Sequence, residues 1–367
     1  MAGARRALLW FWAPVLVALA VGAGVLQWLG PLPAAHGPAA PAAPTPAAAP
    51  PAASPAAPAA PVAATPAALS PASPPVASAP VPTAPVPVSG VIAAPDPALL
   101  EPSPAYPGAM LPRIAADGRM AMHVYAATPP AAAGRPVVAV LLAGIGLSAA
   151  DSLAAIHALP GAVSLAVSPY AAVPAPAPLA AAPAPPASLA EVLAAARAAG
   201  HELFVSIPME PQNYPLNDAG DHALLTTSPV AANAPRLEWA LSRIEGYVGA
   251  TGALGALRGE RFAAAPEQMG PLMATLGARG LLYVDPRPGA RPGYGREADL
   301  VIGAAAGRAD IEARLARLEQ MARDHGAALG LASAPDPVLV ARLAAWTATL
   351  AGRGIVLVPV SAVAGGK

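Results

Sequence analysis

The chain has 367 residues, of which 50 are proline and 11% are charged, and its 21 basic and 21 acidic side chains leave a formal net charge of zero. With no basic patch and no interleaved aromatic and basic residues, nothing points to nucleic acid as a partner. The absence of cysteine removes disulfides, thiolate zinc sites and cysteine nucleophiles.

Residues 1–30 read as an N-terminal membrane anchor. Arg5 and Arg6 precede Ala7 to Gly30, an apolar run of about 24 residues. At about 1.5 Å per residue it spans a hydrocarbon core of about 30 Å. Trp10, Trp12 and Trp28 stand near its ends, where indoles favour the interface, and the two arginines keep the N-terminus in the cytoplasm. The expected location is therefore a bacterial inner membrane, crossed once, with the C-terminal part in the periplasm. A cleaved signal peptide is the rival reading, with Pro33-Ala34-Ala35 near a cleavage site. Its apolar core would run only about 7–15 residues.

Residues 31–134 form a Pro/Ala-rich linker expected to be disordered. Repeated Ala-Pro and Pro-Val steps remove backbone donors and disfavour helix. Alanine and proline also bury too little area to offset ordering entropy. Polyproline II, at about 3.1 Å per residue, makes such a segment a semi-stiff spacer. Residues 105–134 are less repetitive, and Tyr106, Met110, Met120, Met122 and Tyr125 could pack on the domain as a leading arm.

Residues 135–363 alternate between two patterns. Apolar strand-like runs occur at Val137–Leu142, Val163–Val167, Leu203–Ile207, Leu281–Val284, Ala328–Leu331 and Ile355–Val360. Helical runs occupy Ser148–Ala158, Ser188–Ala199, Ala234–Tyr247, Pro266–Ala278, Ile311–His325 and Val338–Ala351. Gly200, Gly280, Gly326 and Gly354 each follow a helical run and precede a strand, the punctuation of α/β units. Continuous rather than alternating apolar strands imply a parallel sheet covered on both faces. Six to eight such units suit a (β/α) barrel or a doubly wound sheet.

The stretch Gly200 to Gly220, GHELFVSIPMEPQNYPLNDAG, passes from a helix stop through a strand into a polar loop, the place where α/β proteins build sites. PMEP and NDAG, with LAVSPY at 165–170, RLEW at 236–239, GYVG at 246–249 and RGLLYVD at 279–285, together resemble the divergent polysaccharide deacetylase family. This is a distant branch of the metal-dependent carbohydrate esterases. The resemblance spans the whole 135–363 domain. It implies a distorted (β/α) barrel of the polysaccharide-deacetylase type and a role in carbohydrate or cell-envelope metabolism. It also implies a divalent metal, zinc by preference, that polarises an acetyl carbonyl and activates water.

The positions that would hold this metal are mostly small here. Ala143 and Gly144 stand where the family has paired aspartates. Gly252-Ala253 stand in place of Asn-His, Gly303 in place of an aspartate, and Ala332-Ser333-Ala334 in place of Gly-His-Pro. Glu210 and Asp285 remain as catalytic candidates, with Glu210, Asp285 and His201 the weak candidates for metal ligands. Asn213, Tyr214, Asn217 and Asp218 are the candidates for substrate binding. Each has a bland reading beside it: Glu210 as a loop carboxylate paired with an arginine, Asp285 as Asp-Pro turn chemistry, His201 as a structural histidine and His222 as a solvated one.

The favoured expectation is a catalytically degenerate member, a pseudoenzyme without a cofactor that binds a glycan or envelope component. The alternative is an active metal-dependent hydrolase that deacylates an envelope polysaccharide using Glu210 and Asp285. A third reading, a docking head without a cleft, predicts an exposed apolar patch.

Overall fold

The computed structural model describes residues 90–172, 187–303 and 305–365. They all belong to one unit, Pro80–Lys367. The expected anchor and the linker as far as residue 89 lie outside the described residues. No helix among the described residues is long and apolar enough to cross a membrane.

The described chain opens with an arm. A 3-10 turn at Pro97–Leu99 is capped by Asp96, whose side chain accepts from Ala98 N. It leads into a two-stranded antiparallel hairpin, β1 (Leu100–Pro102) and β2 (Met110–Pro112), and a short helix, α1 (Ala121–Val124). The domain proper follows as β3 (Val137–Ile145), α2 (Ala149–Ala158), β4 (Ser164–Val167), α3 (Leu189–Ala198), β5 (Leu203–Ser206), α4 (Val230–Leu241) and β6 (Gly249–Thr251). It continues through α5 (Glu260–Ala263), α6 (Pro266–Ala278), β7 (Leu282–Asp285), β8 (Arg296–Glu297), β9 (Leu300–Ile302) and α7 (Arg308–His325). It closes with β10 (Ala327–Ala332), α8 (Pro337–Leu350), β11 (Val356–Leu357) and α9 (Ser361–Ala364).

Local chemistry explains these boundaries. Ser188 and Glu191 form a reciprocal capping box at α3, Ser148 caps α2, and Asp336 caps α8 with Pro337 in its first turn. The four predicted helix-ending glycines all adopt positive φ, between 67° and 82°. Gly326, for instance, ends α7 in the left-handed region, where a Cβ would be strained.

The nine-stranded sheet runs β8-β7-β6-β5-β4-β3-β10-β9, with β11 beside the start of β3, and every pairing in it is parallel. Its two edges, β8 and β9, are joined by Ala298 and Asp299 alone. Successive Cα atoms are about 3.8 Å apart, so those edges lie within about 11 Å of each other. Ala298 N donates to Asp285 O on β7, while Asp299 N donates to Leu329 O on β10. One short segment thus changes partner from one edge to the other. The result is a curled parallel sheet, consistent with a (β/α) barrel, with helices outside. Gly330 on β10 shows which face is outer, since a Cβ there would meet Leu318 of α7.

Two features differ from the sequence expectation. Residues 90–104 fall in the stretch expected to be linker, yet Ile92 and Leu99 are buried against the domain, while the leading arm expected over 105–134 does pack there, with Leu111 and Tyr125 buried. The arm carries large apolar side chains that the Pro/Ala repeats lack, and these can offset its ordering. Strands β6, β8 and β9 were not expected. Gly-Ala-Thr has little strand signal, and Gly249 stands there because a Cβ would approach Leu282 O at 2.5 Å.

Candidate functional site

The sheet directs the carboxyl ends of β3 to β7 and β10 toward one end of the barrel, where sites of such folds are built. The strand β5 runs out into Pro208-Met209-Glu210. Leu224 N donates to Pro208 O and Glu210 N to Leu224 O, both at 2.9 Å, which pins the loop between them at its base.

Glu210 is buried, with 1% of its surface exposed. Its Oε2 accepts from Thr226 N at 2.6 Å and from Thr226 Oγ1 at 2.7 Å. Its Oε1 lies 3.0 Å from Arg261 Nε as an ion pair whose angle is not that of a hydrogen bond. Asp285, equally buried at the end of β7, is gripped by Arg287. Nε and Nη2 of that arginine donate to its two oxygens at 3.0 and 2.7 Å, and Arg287 N adds a third bond at 3.0 Å. These bonds raise the Arg287 pKa above its ordinary value. Both carboxylates are therefore engaged by arginines and loop donors.

His201 is placed elsewhere. It precedes β5, at the strand's opposite end from Glu210, and is fully buried. Its Nδ1 faces Val163 O at 2.7 Å and its Nε2 faces Ile156 O at 3.2 Å. Burial lowers its pKa and favours the neutral ring. Its neighbour Glu202, which the sequence reading passed over, is also fully buried.

The substrate-binding candidates form the loop rim. Asn213, Asn217 and Asp218 are exposed and Tyr214 half-buried. Asp218 Oδ1 accepts from Gly220 N at 2.9 Å, the turn chemistry its sequence suggested. Tyr170 Oη donates to Ala219 O at 2.8 Å. The imidazole of His222, expected to be solvated, instead stacks on Trp239 at 3.7 Å with 7° between the planes. The RLEW and NDAG pieces were legible separately, but nothing local in either announces this contact.

Most of the positions matched to metal ligands are packed, Gly303 alone among the glycines there having open space beside it. Ala143 and Ala253 are fully buried, and Ser333 is buried. A Cβ on Gly144 would meet Pro335 Cδ at 3.2 Å, and one on Gly252 would collide with Met209 Cε. A zinc site needs about three or four protein ligands. Among the described residues no three His, Asp or Glu side chains gather to hold a metal. Glu210 and Asp285 each face an arginine, and His201 lies at the opposite end of β5 with its ring between the carbonyls of Val163 and Ile156. The side chains present do not fit a divalent metal.

A family profile, divergent polysaccharide deacetylase, matches residues 171–364, just over half the chain. The chain belongs to the divergent polysaccharide deacetylase family. The crystal structure of an uncharacterized protein from Agrobacterium tumefaciens C58 is similar to it, with 31% sequence identity and a TM-score of 0.60, covering 70% of this chain and 99% of that one. No curated protein matches. The match shows the family and the fold of this chain.

Proposed function

We propose that this divergent polysaccharide deacetylase is a non-hydrolytic member that binds an envelope glycan rather than deacylating it. One observation carries the reading: Glu210 and Asp285, the acids retained at strand ends, are buried and held by Arg261 and Arg287. A general base or ligand must present a free lone pair to water or metal; Asp285 has both oxygens hydrogen-bonded to Arg287, and Glu210, buried, has Oε2 bonded to Thr226 and Oε1 facing the Arg261 charge. Family membership supports a carbohydrate partner. Residues 1–30 support an inner-membrane anchor with the domain in the periplasm.

Calorimetry of the full-length protein with zinc, manganese and cobalt tests this, beside Glu210→Ala. The expected result is no stoichiometric binding, and no release of acetate from acetylated oligosaccharides with metal added. Stoichiometric binding that disappears in the variant would overturn the reading in favour of the active hydrolase.

A further inference from the structure

One cluster of side chains takes no part in the strand-end chemistry. Trp239, on α4, is 5% exposed and lies beneath the His222 imidazole. The Tyr170 ring leans against the same indole, centroids 5.1 Å apart at 48°. Arg243 places its Cζ 5.5 Å from the indole centroid. The NDAG loop packs against this arrangement. His222 N donates to Tyr170 Oη at 3.4 Å, and Gly220 leaves no room for a Cβ against that hydroxyl. His222 and Tyr170 keep part of their surfaces open to solvent.

The two arginines here are unlike those at the strand ends. Arg236 donates Nη1 to Ala223 O, and neither Arg236 nor Arg243 forms an ion pair among the described residues. Arg243 Nε is buried without a hydrogen-bond partner. A carboxylate is the acceptor whose geometry matches a guanidinium best, and the two guanidiniums have no carboxylate to meet among the described residues. Arg236 reaches the carbonyl of Ala223, next to His222, and Arg243 lies against the same indole that His222 stacks on, which brings both guanidiniums to this cluster. Asp218 and Asp221 are exposed at its edge.

We propose that this cluster is a subsite for an acidic saccharide, a pyranose carrying one carboxylate. The sugar ring lies on the half-exposed His222 and Tyr170 faces, and its carboxylate pairs with Arg236 and Arg243. Its hydroxyls donate to Asp218 and Asp221. The two loop acids repel densely charged polyanions, which selects one carboxylate among many hydroxyls. The inference deepens the glycan-binding reading and rests on it.

The test is calorimetry of the full-length protein with a hexose oligomer carrying a single terminal hexuronate and the all-neutral hexose oligomer of equal length, at low and high salt. The hexuronate should bind at least tenfold more tightly than the neutral oligomer, and more weakly as salt rises. Arg243→Met and, independently, Arg236→Met should each lose at least tenfold in hexuronate affinity with neutral binding unchanged, in proteins whose melting temperatures match the parent. Equal affinity for the two oligomers, or hexuronate binding indifferent to both substitutions, would overturn the acidic subsite and leave the glycan reading standing. No binding of any saccharide would remove both.

Discussion

At the scale of single residues, the strand-end ion pairs decide what the two buried carboxylates can do. Asp285 is almost wholly buried, and Arg287 meets both of its oxygens. Removing one partner of such a pair leaves an uncompensated charge, at a cost of about 3–5 kcal/mol, whereas replacing both with neutral groups costs far less. Arg287→Ala should therefore destabilise the protein by about 3 kcal/mol in urea unfolding, and Asp285→Asn in the same chain should restore most of it. A loss below about 1 kcal/mol would mean that Asp285 tolerates solitude, as a working base or ligand must. The chain order Asp285-Pro286-Arg287 put this pair within reach of a sequence reading. The Glu210 partners, Thr226 and Arg261, lie far along the chain, and only the fold brings them to one carboxylate.

At the scale of elements, β5 carries one kind of chemistry at each end. Beyond its carboxyl end stands Glu210. At its amino end Glu202 ties three segments together, accepting from Ala127 N of the arm, Ser164 Oγ of β4, and Ser361 N and Oγ of α9. Burial raises the Glu202 pKa above 4.5 despite these donors. A carboxyl with a raised folded pKa contributes stability that is fully present below its unfolded pKa and is lost as pH rises through the folded value. His201 works the other way. Its lowered pKa withdraws stability as pH falls below 6.5. The difference between parent and Glu202→Gln melting temperatures isolates the carboxyl. Parent minus variant should fall as pH rises from 4.5 toward neutrality, whatever the variant's baseline, and a flat difference would show that Glu202 titrates as it does unfolded. Much of this layout was legible beforehand. The apolar runs and helix-ending glycines placed most of the units correctly because short-range chemistry governs them. Strands β6, β8 and β9 were not legible, because their two or three residues are defined by neighbours rather than by their own propensity.

At the scale of the whole molecule, the arm begins earlier than composition suggests. The packing of Met122 and Tyr125 was legible in the less repetitive stretch 105–134, but residues 90–104, Pro-rich like the spacer, also strap the barrel. Ile92 N donates to Arg197 O in the last turn of α3, Ser103 Oγ reaches Glu238 on α4, Arg279 pairs with Glu101 at 2.7 Å, and Met122 N donates to Gly280 O before β7. Beneath these bonds Ile92, Leu99, Leu111 and Tyr125 are buried, and each such side chain stabilises by about 1.5–3 kcal/mol. Together they rival the whole net stability of an ordinary domain, about 5–15 kcal/mol. A chain beginning at residue 135, the boundary that composition alone suggests, should therefore be unfolded or lose its cooperative melt, whereas one beginning at residue 90 should melt as the full-length protein does. Circular dichroism melts of the two shortened chains beside the parent decide the matter. Matching transitions in all three would mean that the arm merely rests on the barrel and that residues 135–365 make a self-sufficient core.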